Sequence, residues 1–223
     1  MASSELIDKL GVEIDPELLA IALTHSSFAY EKGGPDNERL EFVGDSILGY
    51  LVATEVFSRY PESAEGDLTR VKNSVVSAPA LATAANRMQL GKHIKLGKGE
   101  KSSGGASKVN ILADAFEAVL GAAYLTGGIE AAQLIVQKFI FPLIESPEAI
   151  RESSDPKTAL IELAQRRGMA AISYLVTGEG PEHSRLYTAI CRSGDQELGS
   201  GSAGTKRAAE TEAARAALAL LAN

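Results

Sequence analysis

Two stretches of this chain are too apolar for surface helices, yet each carries carboxylates at helical spacing. Residues 110–124 read Asn-Ile-Leu-Ala-Asp-Ala-Phe-Glu-Ala-Val-Leu-Gly-Ala-Ala-Tyr. That segment is apolar almost all the way round, the pattern of a buried helix. Its only charges are Asp114 and Glu117, three residues apart. A charge carried into a core without a partner costs several kcal/mol or titrates to its neutral form. Any fold for this chain must therefore give these two acids something to face.

Residues 37–46 offer that partner. They read Asn-Glu-Arg-Leu-Glu-Phe-Val-Gly-Asp-Ser, followed by Ile-Leu-Gly-Tyr-Leu-Val-Ala. As a helix, Glu38, Glu41 and Asp45 fall on one face, with Phe42 alongside. Two core helices facing each other could hold a hard divalent ion between Glu41, Asp45, Asp114 and Glu117, a donor set that suits Mg²⁺ or Mn²⁺. Spacing alone leaves buried ion pairs as an equal alternative. A di-iron bundle would need Glu-x-x-His pairs, whereas His25, His93 and His183 are scattered.

The chain has 223 residues, 45% of them hydrophobic, enough for one large domain or two small ones. Its one cysteine, Cys191, suits a reducing cytoplasm. The first residues have no basic, apolar leader, and no stretch is expected to be long enough to span a membrane. Net charge is −7, which argues against a generic nucleic-acid binder. The charge is uneven: residues 1–150 hold 13 Lys and Arg against 20 Asp and Glu, while residues 154–223 hold 8 against 8. Contacts to phosphate would have to come from local patches.

Residues 1–145 read as helices throughout. Asp15-Pro16 is a helix start, and a helix from Asp36 or Asn37 should run to Tyr60. Glu65 falls in the turn that follows. Residues 92–108 are polar, rich in Gly and Ser, and carry Lys92, Lys95, Lys98, Lys101 and Lys108; they are a phosphate-contacting segment or simply a soluble loop. The buried acidic helix should end at Gly127-Gly128, and a last helix should span roughly 129–145. Residues 146–155 read as a polar linker without periodicity. Beyond it the pattern changes: a helix at 156–167, strands at 172–177, 186–192 and 196–201, and an Ala-rich helix at 205–221.

Residues 37–46 closely resemble the signature of the ribonuclease III family, with Val43 in place of Leu the one departure. Ala113-Asp114-Ala115-Phe116-Glu117-Ala118 resembles the family's second acidic motif, and Leu23-Thr24-His25-Ser26-Ser27 its early Thr-His segment. The α-β-β-β-α order of the last 70 or so residues resembles the double-stranded RNA-binding domain. That second resemblance rests on Asp155-Pro156-Lys157-Thr158, Glu162, Gln165, Gly180-Pro181-Glu182-His183, and Lys206-Arg207 with Ala209-Glu210. Ile161, Ala203 and Thr205 depart from frequent Gln, Gly and Ser.

The resemblance implies two domains: an all-α endonuclease domain at 1–145, a linker at 146–154 and an α+β double-stranded RNA-binding domain at 155–223. It implies a homodimeric endoribonuclease of the cytoplasm that cleaves double-stranded RNA by divalent-metal-dependent hydrolysis. Mg²⁺ is the expected ion and Mn²⁺ a substitute. The products carry 5′-phosphate and 3′-hydroxyl ends, and the cellular roles are ribosomal RNA maturation and processing of messenger and other structured RNA. Glu41, Asp45, Asp114 and Glu117 become metal ligands, Asp45 and Glu117 the catalytic pair among them. Glu38 and Glu65 help handle substrate, and Phe42 enters a socket on the dimer partner. Thr158, Glu162, Gln165, His183, Lys206 and Arg207 contact RNA. His25 reads as a hydrogen-bonded structural residue rather than a general base. A degenerate, binding-only relative would have lost one of the four acids, and all four are present.

Overall fold

The computed structural model describes residues 2–181 and 184–222, with the side chains of residues 2–4 excepted. His183, one of the expected RNA contacts, lies outside the described residues. The chain divides into two compact units, residues 1–144 and 145–223.

The first unit is helical: α1 (Ala2–Leu10), α2 (Pro16–Ala22), α3 (Ser26–Lys32), α4 (Glu38–Arg59), α5 (Glu65–Val75), α6 (Ala78–Arg87), α7 (Lys98–Ser102) and α8 (Val109–Phe139), with short 3₁₀ turns between and after them. Asp15 caps α2 through its carboxylate, with Pro16 at the first helical position. Helix α8 is the axle. Ile111, Leu112, Phe116, Val119 and Leu120 are buried on successive faces of it, so α4 and α6 must flank it. Each such side chain, fully buried, contributes about 1.5–3 kcal/mol.

The acidic helix breaks where expected: the backbone leaves helical values at Gly127-Gly128, Gly128 at φ 72°, and a further helix follows, so that α8 is two helices joined across a kink. Two other expectations need correction in these regions. No stretch is expected from the sequence to be long enough to span a membrane, whereas the segment 109–143 is long and apolar enough to do so by length and composition. About half of that apolar window is buried inside the helical unit. Glu65, for its part, is not in a turn segment but heads α5, where its carboxylate accepts a 2.7 Å hydrogen bond from Thr69 Oγ1.

The second unit opens with a further surprise. The segment read as a linker is helical: α9 spans Pro147–Ser154, capped by Ser146 Oγ on the Ala149 amide. Its periodicity is short, but Ile150 is buried. Then follow α10 (Pro156–Arg166), β1 (Ile172–Glu179), β2 (Leu186–Ser193), β3 (Gln196–Ala203) and α11 (Lys206–Leu221). The strands form one antiparallel sheet in the order β1-β2-β3, with Tyr174 opposite Cys191 and a register shift at Cys191/Arg192. They run up to two residues longer than composition suggested. The core lies between the sheet and the helices: Leu160 of α10, Ala189 and Cys191 of β2, Leu198 of β3, and Ala209, Ala213, Ala214 and Ala217 of α11. Small residues permit a very close layer. A Cβ on Gly199 would sit 2.7 Å from the Ala217 amide nitrogen, and one on Gly201 would overlap that of Ala213.

Candidate active site

Helices α4 and α8 cross at two glycines. A Cβ on Gly44 would overlap the carbonyl oxygen of Glu117, and one on Gly121 would overlap that of Leu40 while lying 3.1 Å from the Gly44 amide nitrogen. Backbone therefore rests on backbone. Only this approach brings the acids one turn from each glycine together. Neither glycine was singled out from sequence; a glycine inside an otherwise uninterrupted apolar helix was the available signal.

Glu41, Asp114 and Glu117 converge there. One carboxylate oxygen from each lies within 4.8 Å of the others, and all three groups are half-buried. Asp45 is exposed and outside that trio, but its charge bears on Glu117 more than any other acid's does. Burial first, and then Asp45, Glu41 and Asp114, push the Glu117 carboxyl up to about 8. Glu41 is raised by burial and by Asp114, Glu38 and Asp45. Burial also raises Asp114, with His25 opposing. Three carboxyls held together against their own repulsion, in half-buried positions, form a donor set made for a hard cation. The residues present fit Mg²⁺ or Mn²⁺ on that ground.

Glu38 is exposed at the first position of α4, near enough to raise Glu41 and Asp114. Glu65 is not a member of the trio. His25 caps α3: its Nδ1 accepts from the Ser27 amide at 3.2 Å and lies 2.8 Å from Ser27 Oγ. The backbone around it is pinned, since the His25 amide donates to Lys95 and the Lys95 amide to Leu23. The lysine-bearing segment is thereby fixed beside the site. Within it, Lys108 is committed to Glu100 at 2.6 Å and Lys92 to Gln89 at 2.8 Å. Phe42 is 75% exposed, and Tyr50 and Phe57 of the same helix are exposed as well.

In the second unit, Thr158, Ile161, Glu162 and Gln165 share one face of α10 by spacing. All are exposed except Glu162, which is partly covered. Asp155 caps α10, and hydrogen bonds from the Thr158 side chain and then the Thr158 amide, with Arg207 and Lys157 nearby, hold its carboxyl low. Lys206 and Arg207 head α11, which Thr205 caps through the Ala208 amide. Two cations and free amides at a helix start suit a phosphate.

A family model described as ribonuclease-III-like matches residues 15–144, and one described as the double-stranded RNA binding motif matches residues 156–221. The chain is 47% identical to the ribonuclease 3 of Mycobacterium bovis over 216 residues, covering 95% of this chain and 90% of that protein. It is 46% identical to the ribonuclease 3 of Leifsonia xyli, covering 99% and 93%. Among solved structures it is similar to the nuclease domain of the Campylobacter jejuni ribonuclease III, with a TM-score of 0.59 and 38% identity over 62% of this chain and 95% of that one. That structure was described for flexibility in a region involved in dimer formation.

Proposed function

Because this chain belongs to the ribonuclease III family, we propose that it is a Mg²⁺-dependent endoribonuclease cutting double-stranded RNA to 5′-phosphate and 3′-hydroxyl ends. The observation that carries this reading is the carboxylate trio Glu41, Asp114 and Glu117, with Asp45 beside it. A degenerate, binding-only protein would have no use for three acids held together against their repulsion.

Glu41, Asp114 and Glu117 would hold the ion, with Asp45 completing the acidic wall. A divalent cation bound there supplies charge neutralisation to a phosphodiester and acidifies water. The protein's own part is to fix the acids on two rigid helices through the Gly44–Gly121 crossing and, with no cation bound, to keep the Glu117 carboxyl largely protonated at neutral pH. Glu38, exposed at the mouth of the site, would handle substrate, and Glu65 would act from the start of α5. Thr158, Glu162, Gln165, Lys206 and Arg207 would bind the duplex by shape and 2′-hydroxyls, as A-form RNA requires.

The exposed aromatic stripe of Phe42, Tyr50 and Phe57 supports a homodimer built on α4, since apolar surface of that kind marks an interface. Ribosomal RNA maturation, messenger RNA processing and a cytoplasmic location belong to the same proposal. The test is incubation with long duplex RNA and Mg²⁺, with end-group analysis of the products and a Glu117→Ala control. Full-length RNA after prolonged incubation of the wild-type protein would reject the nuclease reading.

A further inference from the structure

One cation paired with the outward side of α10 comes from outside the matched RNA-binding motif. Arg151 belongs to α9, five residues before that motif begins at residue 156. Its Nη1 donates to Glu162 Oε2 at 3.2 Å. Helix α9 is held in place independently: Ile150 is buried, and Arg215 of α11 reaches the Ser153 carbonyl. Arg151 is thus presented by an anchored element rather than by a loose tether.

Glu162 needs such a partner. It shares its face with Thr158, Ile161 and Gln165, and the face that would meet a polyanion cannot afford a bare carboxylate. At surface exposure a like charge near phosphates opposes binding, and a neighbouring guanidinium cancels it. The pair still leaves carboxylate lone pairs able to accept from a ribose 2′-hydroxyl. We propose that Arg151 is a positioning residue of the duplex-RNA surface, acting through Glu162 by orienting its carboxylate and neutralising its charge. The inference rests on the reading of this face as RNA-binding. It extends the RNA-binding unit upstream to include α9.

The test uses the full-length protein and a short RNA duplex in EDTA, so that no cutting intervenes, with affinity read by fluorescence anisotropy. Arg151→Ala should weaken binding roughly fivefold, as expected for loss of a partly exposed ion pair. The same substitution in a Glu162→Gln background should change affinity by less than about twofold, because no charge remains to neutralise. Arg151→Lys should recover most of the wild-type affinity. Equal losses in both backgrounds would mean that Arg151 acts on the fold or directly on phosphate, and would overturn the proposal, as would no loss at all. A Thr158→Ala/Gln165→Ala variant, which strips the outward face of α10 itself, separates the two levels. If that variant binds as tightly as wild type, the RNA-binding reading of the face fails. If it binds weakly while Arg151→Ala binds normally, only the role of Arg151 fails.

Discussion

Gly44 and Gly121 meet where α4 crosses α8, so closely that a Cβ on Gly121 would lie 3.1 Å from the Gly44 amide nitrogen. The acidic trio hangs on that contact. Gly44→Ala would place a methyl group into the Glu117 carbonyl, and backbone cannot step aside as a flexible side chain can. The variant should lose about 1–3 kcal/mol of stability, typical of overpacking, and its cleavage should fall at least about a hundredfold, as for misplaced catalytic groups. Thermal melts and initial rates on duplex RNA check both. A wild-type rate would show that the spacing of α4 and α8 is not what positions the acids.

Glu117→Ala should abolish cleavage and leave duplex binding nearly intact. The acid sits in the first unit, whereas the RNA-binding face belongs to residues 156–221. Gel shifts in EDTA and cleavage assays in Mg²⁺ measure the two separately, and loss of binding equal to loss of cutting would contradict the assignment.

Metal-free protein should become less stable as pH rises. Glu117 ordinarily titrates near 4.5 and is raised to about 8 in the folded chain; Glu41 and Asp114 are raised too. Between those values the folded state binds more protons than the unfolded state, so stability falls with increasing pH. The contribution is complete below about pH 4.5 and gone above about pH 8. Melting in EDTA should therefore drop across that window. Added Mg²⁺ should raise the melting temperature more at pH 8 than at pH 5.5, because at the lower pH it competes with protons. Glu117→Gln should flatten the EDTA profile. A profile unchanged by that substitution would place the titrating group elsewhere.

Phe42→Glu should shift the protein toward monomer in sedimentation while leaving the helical content unchanged, since the ring is already 75% exposed and its loss leaves no cavity in the core. An unaltered sedimentation coefficient would remove Phe42 from the interface.

Much of this architecture was legible in the sequence because its strongest signals are local. Asp15-Pro16 specifies a helix start in two residues. The apolar run around Asp114 and Glu117 has no reading except a buried helix. What escaped was what depends on partners in space. Helix α9 looks like a linker because only Ile150 and Pro147 are buried, and their burial is decided by the rest of the unit. The break at Gly127-Gly128, by contrast, is legible, because a glycine pair is a local helix stop. Asp45 and Glu41 are indistinguishable by spacing; only the packing leaves one exposed and draws the other into the trio.

The layer between β3 and α11 has a cost of its own kind. Gly199 and Gly201 on the strand and alanines on the helix bring two backbones together with almost no side chain between them. Such a layer has no slack in either direction. There is nothing large to trim, and a single added methyl has nowhere to go. Change in this unit is therefore confined to its other surfaces, among them the outward side of α10 and the start of α11, while the seam behind them is held to the two smallest residues available.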